Sequence, residues 1–393
     1  MLMIDWPTRG HNYTEEEINK VAKIMRDEDS SLTQGYYVKQ FEQDFEKYIS
    51  CSNCFTTMSG AHALDLAALV ANIQSGDEVI IPAHTYCASA LAFAKRGAKI
   101  RWADIDPDTL TVSYESIVNL VNSNTKAILV VHIYGLICKD ILQICKMSKE
   151  RNIIVIEDCA QSLGAKLNDQ HCGTFGDIGC YSFHSQKNIT TLGEGGMIVV
   201  KDNDISTKIP GLRLNGHSPF NDKQSYWLPA MVNVKSDIDG IWPFKSTMSE
   251  AQAALGSMLL TRLDDLTNAR RNRDNIIRSY LSEIGALKFQ YTYNIEAHSH
   301  HLLPAKCTAT SWSRNDLIDL LFKKYKVKCI VQYYPLYRYD LFVKNGLGEA
   351  KVPITDEFFD NMISFPFSLQ ITDDKFTYLC SSIKDAITEL GDG

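Results

Sequence analysis

Apolar residues in this chain keep changing their spacing, and each change marks an element. From Thr14 the pattern is helical, opened by a Thr14 to Glu17 pair that can cap reciprocally, and residues 38–48 are helical again with Phe41, Phe45 and Tyr48 on one face. Short apolar runs at 79–82, 99–103, 127–132 and 153–156 then read as strands, separated by helical stretches at 87–96, 113–122 and 140–150. Strands alternating with helices imply βαβ units and a mostly parallel sheet, whose ligands collect beyond the carboxyl ends of the strands.

The rhythm shifts after residue 180. Strand-like pieces at 180–183 and 197–200 flank Gly193-Glu194-Gly195-Gly196, which lacks dinucleotide-loop spacing and reads as a tight turn near a bound ring. Residues 214–245 are polar, aromatic and poorly periodic, and a loop that long in a compact domain is usually functional or wraps a partner. Residues 249–284 are helical, with Leu255, Leu259, Leu263 and Leu266 at spacings of three and four and only Gly256 to interrupt them. Beyond this connecting helix, strands at 301–305 and 327–333 and helices at 314–325 and 373–390 predict a smaller α+β unit. The expected fold is α/β: a large domain over residues 1–248 with a mostly parallel sheet sandwiched by helices and an N-terminal arm, then the connecting helix and a small C-terminal domain over 249–393.

A length of 393 residues suits two unequal domains, because single cores stop growing at about 250 to 300 residues. The formal charge of -7 disfavours a partner such as nucleic acid, which calls for a basic excess or stripe. No leader-like N-terminus and no apolar run of bilayer-spanning length is present, so no membrane partner is expected and the chain reads as cytoplasmic. Its 11 cysteines are odd in number and scattered, several of them (Cys87, Cys159, Cys180, Cys329) inside apolar runs where a thiol acts as a small hydrophobe. Cys51 and Cys54 form a C-x-x-C without a second pair at zinc spacing, which favours a structural use and no metal site.

Candidate chemistry concentrates between residues 152 and 200. There an apolar run ends in Glu157-Asp158, a glycine-punctuated loop Gly173-Thr174-Phe175-Gly176-Asp177 follows, and Lys187 stands 29 positions after Asp158. A lysine that must lose its proton to form a Schiff base and a carboxylate that stays charged against a pyridinium nitrogen are the two side chains a pyridoxal 5'-phosphate enzyme requires. Upstream, Ser59-Gly60-Ala61-His62 runs directly into an alanine- and leucine-rich helix, a turn whose free amides suit a phosphate. Tyr86, His132 and Asp158 each lie at or just past a strand end.

These pieces, taken with Gly76-Asp77-Glu78-Val79, His132-Ile133-Tyr134-Gly135, Ser182-Phe183 and Met248-Ser249-Glu250, resemble the DegT/DnrJ/StrS sugar aminotransferases, a branch of the fold type I enzymes related to aspartate aminotransferase. The resemblance runs in order over nearly the whole chain. It implies that Lys187 holds the cofactor and shuttles the proton, that Asp158 pairs with the pyridine nitrogen, and that Gln161 bonds the ring hydroxyl. Tyr86 would stack on the ring face, and Ser182 with the amides of Gly60, Ala61 and His62 would hold the phosphate. It also implies L-glutamate as amino donor, a keto sugar as acceptor, and a homodimer with shared active sites.

Two segments depart from the family. Ile241-Trp242-Pro243-Phe244-Lys245-Ser246-Thr247-Met248-Ser249 stands where Gly-Tyr-Asn-x-Arg-Met-Ser is common, so the asparagine that reaches the partner's phosphate is missing and Lys245 or Ser246 is the substitute on offer. Gln332-Tyr333-Tyr334-Pro335-Leu336-Tyr337 replaces a His-Tyr-x-Pro-Leu-His pattern in a region that faces the acceptor, which implies an unusual acceptor. Nucleotide-linked keto sugars are the family's usual acceptors, and the altered 241–247 segment leaves room for a free 8-keto-3-deoxy-octulosonate bound for lipopolysaccharide. A sugar dehydratase of the same family carries histidine in place of the lysine, and Lys187 argues against that reading. A non-catalytic cofactor-binding protein is the alternative from another class.

Overall fold

The computed structural model describes residues 4–27, 31–217 and 237–391. The chain begins with α1 (Glu15–Arg26) and α2 (Tyr36–Ile49), then β1 (Cys54–Thr57), α3 (Gly60–Val70), β2 (Glu78–Pro82), α4 (Ala88–Ala94) and β3 (Lys99–Ala103). It continues through α5 (Tyr114–Leu120), β4 (Thr125–Val131), α6 (Ile141–Glu150), β5 (Ile154–Asp158), the small hairpin β6 (Lys166–Leu167) and β7 (Gln170–His171), β8 (Ile178–Ser182) and β9 (Gly196–Val200). After α7 (Asn203–Ser206) and α8 (Ile209–Leu212) come α9 (Glu250–Thr261), α10 (Leu263–Tyr280), β10 (Leu287–Phe289), β11 (Leu303–Cys307) and α11 (Arg314–Lys323). The last elements are α12 (Asp340–Lys344), α13 (Pro353–Asn361), β12 (Met362–Phe365) and α14 (Asp373–Leu390).

Seven strands form one sheet in the order β1-β9-β8-β5-β4-β2-β3. From β3 to β8 every pair is parallel, while β9 and β1 run antiparallel at the far edge. The central strands are buried on both faces, as their continuous apolar runs require when helices cover a parallel sheet from both sides. Val131 lies opposite Asp158 and Asp158 opposite Cys180, so the ends of β4, β5 and β8 come level at one rim of the sheet.

Helix α1 starts at Thr14, whose hydroxyl accepts from the Glu17 amide while the Glu17 carboxylate accepts from the Thr14 amide, the reciprocal cap expected from sequence. Phe41 and Phe45 of α2 are fully buried, and α2 packs on α9 so closely that a methyl group at Gly256 would lie 2.6 Å from the Phe41 ring. Glu250 holds this pair together: its carboxylate accepts from the amides of Gly35 and Tyr37, both at 2.7 Å, where α2 begins with unpaired N–H groups. The long helix anticipated over 249–284 is broken at Arg262 into α9 and α10, and residues as far as Leu266 share a core with the large sheet.

A second sheet, β10-β11-β12, is antiparallel and packs with α10, α11 and α14 around Leu303, Leu317, Phe365, Leu379 and Ile383. The strand expected at 327–333 does not form. Val327 bridges only Ile4 and Ile330 only Ser364, after which the chain leaves the sheet and delivers Gln332 and Tyr333 to a cavity at the rim of the large sheet. Its alternation of apolar residues thus serves two different surfaces instead of one pleated face. No helix among the described residues is long and apolar enough to cross a membrane.

Candidate active site

A cavity of about 390 Å3 opens at that rim, and Gly60, Ala61, Tyr86, Asp158, Gln161, Ser182 and Lys187 all line it. Asp158 is the last residue of β5 and is 6% exposed, deep enough that its charge must be held by hydrogen bonds. One oxygen, Oδ2, accepts from Ser89 Oγ at 2.7 Å, and Oδ1 accepts from the Ala160 amide at 3.1 Å. Ser89, on α4, is in turn 2.9 Å from Thr85 Oγ1. Nothing in the local pattern around Ser89 marked it, since its partner is 69 positions away.

Lys187 follows β8 on the loop to the glycine turn. Burial in the cavity wall draws its ammonium down to about 8, and the Asp158 charge opposes that shift. Lys187 makes no ion pair among the described residues, although Asp158 faces it. The result is an amine able to be neutral near physiological pH in the cavity that Asp158 lines.

The start of α3 lines the same cavity. Ser59 caps the helix, its Oγ accepting from the His62 amide at 3.3 Å, so the amides of Gly60 and Ala61 head the helix without an intrahelical partner. Gly60 is required there because a Cβ would fall 2.7 Å from Ser182 Cβ. The close approach brings the Ser182 side chain to the positive end of the helix. His62 is half-buried and stacks on Phe244, ring centroids 5.8 Å apart.

Gln161 is positioned from two sides: Oε1 accepts from the Tyr134 amide at 2.6 Å, and Nε2 donates to the Tyr333 hydroxyl at 3.0 Å. Tyr134 adopts φ +62, a backbone state unfavourable for a bulky residue, and its own hydroxyl donates to the Gln332 carbonyl. The Tyr333 ring stacks on Tyr134 at 6.4 Å and meets the Tyr86 ring edge-on at 6.0 Å. Tyr86 itself is 57% exposed and lines the cavity.

Glu157 faces the other way. Its carboxylate is fully buried in the glycine loop, accepting from the amides of Gly173, Phe175 and Gly176 at 2.8, 2.7 and 2.6 Å. His132 Nδ1 accepts from the Cys138 amide, so its proton is on Nε2, which donates to Glu157 at 2.8 Å. His132, Glu157 and Cys159 are near enough to share an ion, but those hydrogen bonds occupy both nitrogens of the histidine and both oxygens of the glutamate. Two adjacent carboxylates therefore serve different ends: Glu157 fixes the loop, and Asp158 faces the cavity.

The profile of the DegT/DnrJ/EryC1/StrS aminotransferase family matches residues 11–384. The chain belongs to that family. A GDP-perosamine synthase of Escherichia coli O157:H7 is 31% identical over 353 residues, covering 90% of this chain and 91% of its own. An aminotransferase from Psychrobacter cryohalolentis superposes with a TM-score of 0.89 at 25% identity, over 99% of this chain and 100% of its own. Spr1654 of Streptococcus pneumoniae, solved in its PMP form, gives a TM-score of 0.86 at 25% identity, over 98% of this chain and 100% of its own. As a DegT/DnrJ/EryC1/StrS protein of fold type I, the chain is a pyridoxal phosphate-dependent sugar aminotransferase.

The site's chemistry fits that cofactor. A buried, hydrogen-bonded carboxylate suits a pyridinium, a helix N-terminus beside a hydroxyl suits a phosphate, and an amine with a lowered pKa suits an aldehyde. The family motif at the end of the long loop is less simple. Residues 218–236 of the 214–245 loop lie outside the described residues. Ser246, expected as a possible reach toward a neighbour, is fully enclosed in its own protomer, where its Oγ accepts from the Met58 amide at 3.2 Å beside Ser59. It is thus turned inward under its own helix cap, and of the two substitutes only Lys245 is exposed. The N-terminal arm lines a notch next to Lys187 of its own chain with Trp6, Pro7 and Arg9.

Proposed function

We propose that this sugar aminotransferase takes the amino group of L-glutamate and gives it to a nucleotide-linked keto sugar destined for a cell-surface polysaccharide or lipopolysaccharide. The observation that carries the reading is the Lys187 amine, lowered to about 8 in a cavity it shares with the anchored Asp158. When bound, pyridoxal phosphate supplies a carbonyl to receive the amino group and a ring to accept the electron pair left on the donor carbon.

Lys187 Nζ holds the cofactor between turnovers, then takes the proton from the donor carbon and returns it on the neighbouring carbon. Asp158 keeps the ring nitrogen protonated, with Ser89 and the Ala160 amide holding the carboxylate still. Gln161 Nε2, already aimed into the cavity toward Tyr333, is offered to the ring hydroxyl. Tyr86 covers one ring face, and the amides of Gly60, Ala61 and His62 with Ser182 Oγ receive the phosphate. We assign Lys245 to a partner protomer's phosphate in a two-fold dimer, and divide the chain near residue 248 into a large cofactor-binding unit and a smaller C-terminal one. The unpaired state of all 11 cysteines supports a reducing, cytoplasmic setting.

The GDP-perosamine synthase relative supports a nucleotide-linked acceptor by its name. A free acid sugar such as 8-keto-3-deoxy-octulosonate is the second reading, supported by the departure of residues 241–247 from the family sequence. Purified protein should be yellow, bleach with L-glutamate and, once freed of 2-oxoglutarate, regain its colour with a keto sugar it accepts. Lys187→Ala should keep its fold and show no bleaching and no turnover. More than a trace of glutamate-dependent amino transfer by that variant would remove Lys187 from the mechanism.

A further inference from the structure

The cavity around Lys187 continues into a notch of about 40 Å3 walled by the N-terminal arm. The two share Gln186, Lys187, Gln332 and Tyr333, and the notch adds Trp6 and Arg9. The arm is pinned hard against the lysine's own backbone. The Gly10 amide donates to the Ser185 carbonyl at 2.9 Å, and a Cβ at Gly10 would fall 1.9 Å from the Lys187 carbonyl oxygen. The Arg9 amide donates to Gln370 Oε1 at 3.1 Å, and its carbonyl accepts from Ser368 Oγ at 2.7 Å. The root of the Arg9 side chain is therefore fixed one residue from a contact with the reacting lysine's backbone.

Its head is uncommitted. The guanidinium lies 5.8 Å over the Tyr13 ring and forms no ion pair among the described residues. No acidic residue lines the notch, and Arg9 is the one arginine among the described residues lining either cavity. His301, at the notch floor, is kept neutral by burial first and by the Lys187 charge second, and its Nδ1 is engaged with Asn188 Oδ1 at 3.2 Å. Asn188 Nδ2 donates to the Ser299 carbonyl, so its oxygen faces His301 and the imidazole proton is on Nδ1. A planar, exposed cation on the wall of a notch that the reacting lysine also lines, in a space about the size of one small polar group, suits the recognition of a carboxylate.

We propose that Arg9 is a specificity-determining residue that binds a carboxylate of the substrate reacting at Lys187. This deepens the aminotransferase reading and rests on it. The carboxylate belongs to the amino donor, which carries one on the reacting carbon itself, and the notch is lined by the lysine. The C1 carboxylate of an 8-keto acid sugar and a nucleotide diphosphate both stand off from the reacting carbon by at least the width of the sugar ring.

The test uses holoenzyme of the wild type, Arg9→Ala and Arg9→Lys, with cofactor content checked by absorbance. Calorimetric titration with glutarate, a dicarboxylate without an amino group, should show affinity falling about tenfold or more in Arg9→Ala, with part of it restored in Arg9→Lys. In the L-glutamate half-reaction, a comparable rise in the half-saturating concentration with the limiting rate within about twofold assigns the carboxylate to the donor. An unchanged donor half-reaction, with the loss confined to 8-keto-3-deoxy-octulosonate, would overturn the assignment to the donor. Equal glutarate affinity and equal half-reactions in wild type and Arg9→Ala would overturn the proposal, as would loss of GDP affinity with glutarate binding intact. If the wild type fails to bleach with glutamate, the donor reading fails, and the glutarate titration still decides the role of Arg9.

Discussion

The Asp158 charge acts on the proton of Lys187, and the direction of that effect is testable. Burial lowers the lysine to about 8 while the Asp158 charge raises it, so removal of that charge in Asp158→Asn should lower it further. In cofactor-free protein, the pH profile of amine modification at Lys187 should have its midpoint near 8 and move to lower pH in Asp158→Asn. A midpoint that stays near that of a free lysine in both proteins would show that the amine is not desolvated. The linkage follows the same sign: with the folded pKa below the unfolded value of 10.5, the unfolded chain binds more protons between about 8 and 10.5, and this residue's contribution to stability rises across that window. The neighbouring Glu157 makes a contrast, because three amides and His132 consume its charge in holding a loop.

Close approach of whole elements depends on two glycines for separate reasons. At Gly60 an added methyl meets Ser182 Cβ at 2.7 Å, which drives the N-terminus of α3 away from β8. At Gly256 it meets the Phe41 ring at 2.6 Å, which separates α9 from α2. Both alanine variants should lose about 1–3 kcal/mol of stability from overpacking, measured by denaturant unfolding. Only Gly60→Ala should also weaken cofactor retention, because only there do the displaced amides belong to the proposed phosphate site. Equal cofactor affinity in the two variants would detach the start of α3 from that site.

Assembly is the matter for the whole molecule. In the proposed dimer each site joins Lys187 of one protomer to Lys245 of the other, so a heterodimer of Lys187→Ala and Lys245→Ala has one doubly defective site and one intact site. Mixing the two inactive or impaired parents should restore activity. A mixture that contains heterodimers and shows no gain over its parents would leave Lys245 without a role across the interface. Ser246 is left unchanged in this test, because its enclosed hydroxyl is bound to the Met58 amide of its own protomer.

The sequence by itself determined the alternating elements and much of the rim. The strand expected at 99–103 and the helix at 373–390 occur as Lys99–Ala103 and Asp373–Leu390, and Gly60, Asp158, Ser182 and Lys187 meet at one cavity. These were legible because side-chain direction repeats locally, every two residues in a strand and every 3.6 in a helix, and because parallel strands end together. Tertiary structure alone decided which hydroxyl restrains Asp158, which way Ser246 turns, and that the arm from Trp6 to Gly10 closes on Lys187. It also decided that residues 327–333 leave the sheet to bring Tyr333 against Gln161. Those contacts join positions 69 to 188 residues apart, and no local period encodes them; they follow from how finished elements pack and which buried polar groups must then find partners.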